Sequence, residues 1–201
     1  MTLHSFNPKW YFKTSLPPDK QQITQEMFKD FISDGENFHS PKLWNCNVQS
    51  SWAKVPETLN GPWNNWMPVI DSVWSEFIET MGTKCDVDVL LKDGWVNKYN
   101  PGDSQEMHEH CGPDCNLAMV YFHTINDDDG CHFQFCNTEF GTYSMQGLSS
   151  TLNLPISNLT IPIVSQGDVI IFPAHYYHLV SPHKGNKTRI TFSLNFEITP
   201  I

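Results

Sequence analysis

The sequence lacks long apolar runs, is poor in basic side chains and contains no repeated segment. No stretch approaches the roughly 20 apolar residues needed to span a bilayer, which argues against a membrane-embedded helix. The apolar run at 169–172 stops at Pro173. The start, MTLHSFNPKWYFK, has no charged segment followed by an apolar one, so no secretory signal is expected and the chain is expected to be cytoplasmic. Lys and Arg number 12 against 22 Asp and Glu, a net charge of −10. Such a surface repels phosphate backbones, and no basic stripe offsets it, so nucleic acid is not an expected partner. What remains is a chain of 201 residues, 39% hydrophobic, which suits one soluble domain over 1–201 with a single core. The oligomeric state is not legible. The six cysteines, without an export signal, read as reduced thiols.

Residues 1–82 read mostly as helix and loop. Ile23, Met27, Phe28, Phe31 and Ile32 form one stripe at helical spacing, with Gly35 as a stop. Val69, Ile70, Val73, Trp74, Phe77, Ile78 and Met81 form a second, with Pro68 placed for a first turn and Gly82 for a C-cap. From 83 onward the period changes to two. Strands are predicted at 87–91, 95–99, 117–123, 132–135, 169–172 and 189–198. In the last, Ile190, Phe192, Leu194, Phe196 and Ile198 share one face, and Arg189, Thr191, Ser193, Asn195 and Glu197 the other. The apolar face should meet the helices, and the polar face should line a cavity. Helices followed by many short strands predict a mainly β, double-sheet roll with helices packed outside: helical support over 1–82, a roll over 83–201.

Two histidines two positions apart in an extended segment, His108 and His110, can present imidazoles to one metal. The plain alternative is a pair of surface histidines after a turn. Downstream, Gly167 to Pro173 reads as a turn, a buried strand and a break, with His178 five residues later. Arg189 follows His178 by eleven positions and opens the last strand on its cavity side. A guanidinium inside a roll calls for a carboxylate, and a carboxylate ligand would answer. A zinc site drawn from Cys111, Cys115, Cys131 and Cys136 lacks the usual tight spacing. Asp127-Asp-Asp129 reads as a solvated turn.

Taken together, Tyr99-Asn-Pro-Gly102 six residues before His108, the strand opened by Asp129-Gly130, the distal His178 and the later Arg189 carry a family likeness. From about 95 to 198 the sequence resembles the non-haem Fe(II)- and 2-oxoglutarate-dependent dioxygenases, in particular the prolyl-4-hydroxylase-like branch with its small bacterial and phage members. The resemblance implies a double-stranded β-helix (jelly roll) and an oxidative hydroxylation that releases succinate and CO2. It implies Fe(II) on His108, His110 and His178, and 2-oxoglutarate with its far carboxylate on Arg189; Asn97, Tyr99 and Thr191, whose strand parity matches Arg189 or the motif, are the expected helpers. No catalytic side chain is implied beyond the metal ligands.

His110 stands where most of that family has a carboxylate, and Glu106 or Glu109 could replace or support it. Two other readings therefore stay open. One is a three-histidine iron dioxygenase of cupin type without an oxoacid; the other is a non-enzymatic ligand-binding roll. The expected substrate is a peptide side chain or a small organic molecule, met in part by the tryptophan-rich loops around Trp44, Trp52 and Trp63.

Overall fold

The computed structural model describes residues 9–53, 61–126, 132–151 and 157–201. In chain order the elements are β1 (Phe12–Ser15), α1 (Pro18–Ser33), β2 (Gln49–Ser50), α2 (Trp63–Trp66), α3 (Asp71–Met81) and β3 (Val87–Tyr99). Then come β4 (Gln105–His108), β5 (Leu117–Thr124), β6 (Phe133–Cys136), α4 (Phe140–Met145), α5 (Leu148–Thr151), β7 (Leu159–Thr160), β8 (Asp168–Pro173), β9 (His178–Val180) and β10 (Arg189–Pro200). The strands build two sheets, a six-stranded one in the order β1-β8-β5-β10-β3-β2 and a four-stranded one in the order β4-β9-β6-β7. Every pairing within them is antiparallel. This is the expected jelly roll with helices against its larger sheet.

Alternation along the strands explains the layering. Leu117, Met119 and Tyr121 of β5, Val169 and Ile171 of β8, and Phe192, Leu194 and Phe196 of β10 face the helices. There they meet Phe28 of α1, Trp63 and Trp66 of α2, and Val73, Trp74 and Phe77 of α3. The intervening Ala118, Val120, Phe122, Ile170 and Phe172 turn inward and meet Phe133, Phe135 and Val180 of the smaller sheet. Because both faces of the larger sheet are covered, β5 and β8 read as nearly unbroken apolar runs. Each large apolar side chain so buried contributes roughly 1.5–3 kcal/mol.

Several expectations change in detail. The two predicted strands at 87–91 and 95–99 form one, β3, with a register shift against β10 between Asn195 and Phe196. The stretch before 82 also supplies β1 and β2, the edges of the larger sheet. In α1, Ile23 is 43% exposed, whereas Thr24 is buried. Its hydroxyl donates to Lys20 O and accepts from Trp66 Nε1, each at 2.8 Å, so a polar residue occupies the core position at low cost. Pro68 lies in a 3-10 turn at 67–69, and α3 begins only at Asp71. Gly82 ends α3 at φ 65°, the left-handed cap expected of it.

Trp63 is fully buried, not a loop aromatic awaiting a ligand. Its indole lies on the backbone of Gly94 in β3, where a Cβ would stand 2.9 Å from the ring. A glycine in mid-strand usually weakens a sheet; here it admits a tryptophan. Asp127-Asp-Asp129, Cys131 and the head of the strand opened by Asp129-Gly130 lie outside the described residues.

Candidate active site

β4 and β9 lie side by side in the smaller sheet, with His108 directly opposite His178. His110 lies just beyond β4, held by its backbone N–H donating to Ala174 O at 2.9 Å. One ligand atom from each of the three imidazoles falls within 4.8 Å of the others. Among the described residues, they form the group able to hold a metal.

Each ring is oriented by its Nδ1. His108 Nδ1 meets Glu106 O at 2.7 Å, His178 Nδ1 meets Tyr176 O at 2.9 Å, and His110 Nδ1 meets Asn195 Oδ1 at 2.6 Å. Carbonyl and amide oxygens only accept, so the proton sits on Nδ1 and the Nε2 lone pair of each ring is left for a ligand bond. Burial, reinforced by the neighbouring imidazoles, pushes His110 down to about 4 and His178 well below the ordinary value. Burial lowers His108 as well, against the pull of Glu106 and Glu109. The trio is therefore neutral near pH 7, the form that ligates.

Neither nearby glutamate joins it. Glu106 Oε1 accepts from Asn45 N at 2.8 Å, and Glu109 Oε2 accepts from Cys111 N. The register of β4 against β9 shifts between Gln105 and His108, so the simple alternation that put Glu106 beside the histidines does not hold. Burial works against ionisation of Glu106, yet hydrogen bonds from the Cys46 thiol and from backbone amides hold it below the usual carboxylate range. The Cys46 thiol is itself pushed up to about 11, chiefly by burial and then by Glu106. The described cysteines are free.

Arg189, the sequence's single arginine, is 1% exposed at the start of β10. It pairs in register with Tyr99, and its guanidinium carbon lies 5.6 Å from the centre of the Phe122 ring. Arg189, Thr191, Ser193 and Tyr99 line a cavity that ends on His108 and His178. It is narrow, about 10 Å³, so an entering carboxylate must displace side chains along it. Tyr99 Oη donates to Gln105 Oε1 at 2.7 Å, tying β3 to β4. Asn97 stands opposite Thr191 and donates from Nδ2 to Ser193 Oγ at 3.2 Å, supporting this wall.

A second cavity, about 310 Å³, opens onto His108 and His110 and is walled by Trp44, Trp52, Trp95, Glu106, Glu109 and Asn195. Trp44 and Trp52 stack with ring centres 5.4 Å apart. A larger cavity of about 540 Å³, beside Tyr11, Phe135 and Tyr176, has none of the three histidines in its lining. The sequence had placed His108, His110, His178 and Arg189 near one another, and the fold brings them together. It had put Asn195 on the polar face of the last strand but had not singled it out as the partner of His110.

The donor set suits Fe(II) with a dicarboxylate: three neutral imidazoles leave octahedral positions open, and a buried guanidinium stands along the adjoining cavity. Comparison with known proteins agrees. No curated protein matches the sequence. A Pseudomonas putida prolyl-4-hydroxylase shares the fold at a TM-score of 0.60 and 12% identity, over 94% of this chain and 92% of that one. A viral collagen prolyl hydroxylase from Paramecium Bursaria Chlorella virus-1, solved with 2-oxoglutarate, gives 0.55 and 15% over 96% and 97%. A Trichoplax adhaerens prolyl hydroxylase bound to a hypoxia inducible factor peptide gives 0.62 and 13% over 93% and 83%. The family model described as "Putative 2OG-Fe(II) oxygenase" matches residues 93–195, just over half of the 201, and takes in the trio, Asn195 and Arg189. The chain belongs to that family, the oxygenases that work with Fe(II) and 2-oxoglutarate.

Proposed function

We propose that this chain, acting as one domain over 1–201, hydroxylates a C–H bond of a peptide side chain or small organic molecule, with His108, His110 and His178 holding the iron through Nε2. The observation that carries the assignment is the convergence of three imidazoles whose Nδ1 atoms are all engaged elsewhere. Arg189 would pair with the far carboxylate of 2-oxoglutarate, since a guanidinium fork matches a carboxylate in two parallel hydrogen bonds. Thr191, on the same wall, would add a hydroxyl contact, and Tyr99 would add one by turning its hydroxyl from Gln105 to the carboxylate. Asn97 acts one step back, through Ser193.

Bound iron and 2-oxoglutarate supply the oxygen-activating chemistry, which no side chain here could perform. The chain's own part is to hold and shield. Val120, Phe122, Phe133 and Val180 make an apolar lining that keeps water from the carboxylate pair and strengthens it. The acceptors Glu106 O, Tyr176 O and Asn195 Oδ1 hold the rings in one tautomer. The family match spans Arg189 as well as the trio, which favours this reading over a three-histidine site that uses no oxoacid. On the precedent of the Trichoplax enzyme, a peptide is one substrate class the open cavity could take.

His108→Ala and His178→Ala should each lose stoichiometric iron after anaerobic loading while circular dichroism stays unchanged. Full iron retention in both variants would reject the assignment.

A further inference from the structure

The cavity of about 310 Å³ on the open side of the trio has a wall of unusual chemistry. Trp44 and Trp52 are half-buried and stacked, with ring planes 27° apart. Trp95, 4% exposed, lies against His110 with ring centres 5.4 Å apart. The wall is pinned at both ends. The half-buried Asp93 carboxylate accepts from Gly94 N and from the Trp52 side chain, which ties that indole to β3. Asn45, next to Trp44, donates its backbone N–H to Glu106.

Interleaved with the indoles are two glutamates, Glu106 and Glu109, each with one carboxylate oxygen fixed by a backbone amide; the second Glu106 oxygen is buried, so Glu106 acts on the cavity through its charge. Among the described residues, no Lys or Arg lines this cavity. Among these residues the fixed charge is negative and the flat surfaces are π-faces. An anion would meet repulsion, and a neutral apolar group would use the indoles but leave the negative charge uncompensated. A cation on an alkyl stem uses both, because indole faces attract cations and the carboxylates complete the charge pairing. At about 310 Å³ the space suits one such arm.

We propose that the substrate of this site carries an alkylammonium group, received by Trp44, Trp52, Glu106 and Glu109, which places its stem over the metal-binding face of His108 and His110. This rests on the proposed function, since it takes the trio as the reaction centre. The ammonium comes either from a free amine or from a lysyl side chain on a peptide.

The test uses protein loaded with Fe(II) and 2-oxoglutarate under nitrogen, with binding read by tryptophan fluorescence and by the perturbation of the iron charge-transfer band. Four probes are titrated: n-pentylammonium, Nα-acetyl-lysine methylamide, the neutral Nα-acetyl-norleucine methylamide, and hexanoate. Both cations should bind at least about tenfold more tightly than the neutral and anionic probes. The tighter of the two cations identifies the source. The double variant Glu106→Gln/Glu109→Gln and the variant Trp44→Leu should each erase that preference while the charge-transfer band with 2-oxoglutarate persists. Equal binding of lysine and norleucine probes would overturn the proposal. So would a preference that survives in both variants, or carboxylate variants that lose iron instead, which would make those groups charge balance for the metal. Absence of the band in the unsubstituted protein would strike the proposed function itself, a separate failure.

Discussion

His110 Nδ1 and Asn195 Oδ1 lie 2.6 Å apart, joining the segment after β4 to the inner face of β10 across 85 positions of sequence. This contact sets the one ring of the trio whose Nδ1 partner is a side chain and not a backbone carbonyl. It also stands at the position where the family resemblance leads one to expect a carboxylate ligand. In place of that carboxylate, the protein has an imidazole held in orientation by an amide.

Removing that amide should loosen the metal without unfolding the sheet. Asn195→Ala is expected to weaken Fe(II) by about 10–100-fold, the range for losing an outer partner of a ligating histidine. Competition with a coloured chelator measures it. Unchanged affinity would show that His110 needs no such partner.

Arg189→Ala should separate the two halves of the site. Iron is expected to stay, while 2-oxoglutarate weakens by about 2–5 kcal/mol, the range for truncating one partner of a buried charge pair. Titration of the iron-loaded variant with 2-oxoglutarate under nitrogen reads the effect. Equal affinity in the variant and the parent would remove Arg189 from the co-substrate site.

His123 offers a pH test outside the histidine trio. It is buried at the end of β5, stacked on Phe192 with ring centres 4.9 Å apart, and burial pushes it down to about 4. The folded form thus resists protonation that the unfolded chain accepts from about 6.5 downward. The stability that depends on neutral His123 is fully present above pH 6.5. It falls as pH drops toward 4 and stops falling below that. His123→Phe should flatten this part of the stability profile, by up to about 3 kcal/mol between pH 6.5 and 4. Urea melts of both proteins across that range decide it, and parallel profiles would assign the pH dependence elsewhere.

Much of the roll was legible because a strand's alternation is local. The faces of β10 could be read residue by residue, and with them Arg189 on the cavity side and Phe192 on the helix side. Partners across the sheet were not legible. Asn195 looked like one more polar residue on an inner face until β4 was placed beside β9. Glu106 shared a nominal face with His108, but the register shift and the Asn45 amide take it out of the metal group. Trp63 read as a loop aromatic because its burial depends on Gly94, 31 positions later, giving up a side chain. β1 and β2 are 4 and 2 residues long, too short to carry a period, and they exist through pairing with β8 and β3.

The most direct measurement is an anaerobic Fe(II) titration of the purified protein with and without 2-oxoglutarate, followed by visible absorbance. The expected result is one iron per chain, a metal-to-ligand charge-transfer band that appears only with 2-oxoglutarate, and loss of both in His108→Ala. Iron that binds without ever giving the band, or a band that persists undiminished in His108→Ala, would contradict it.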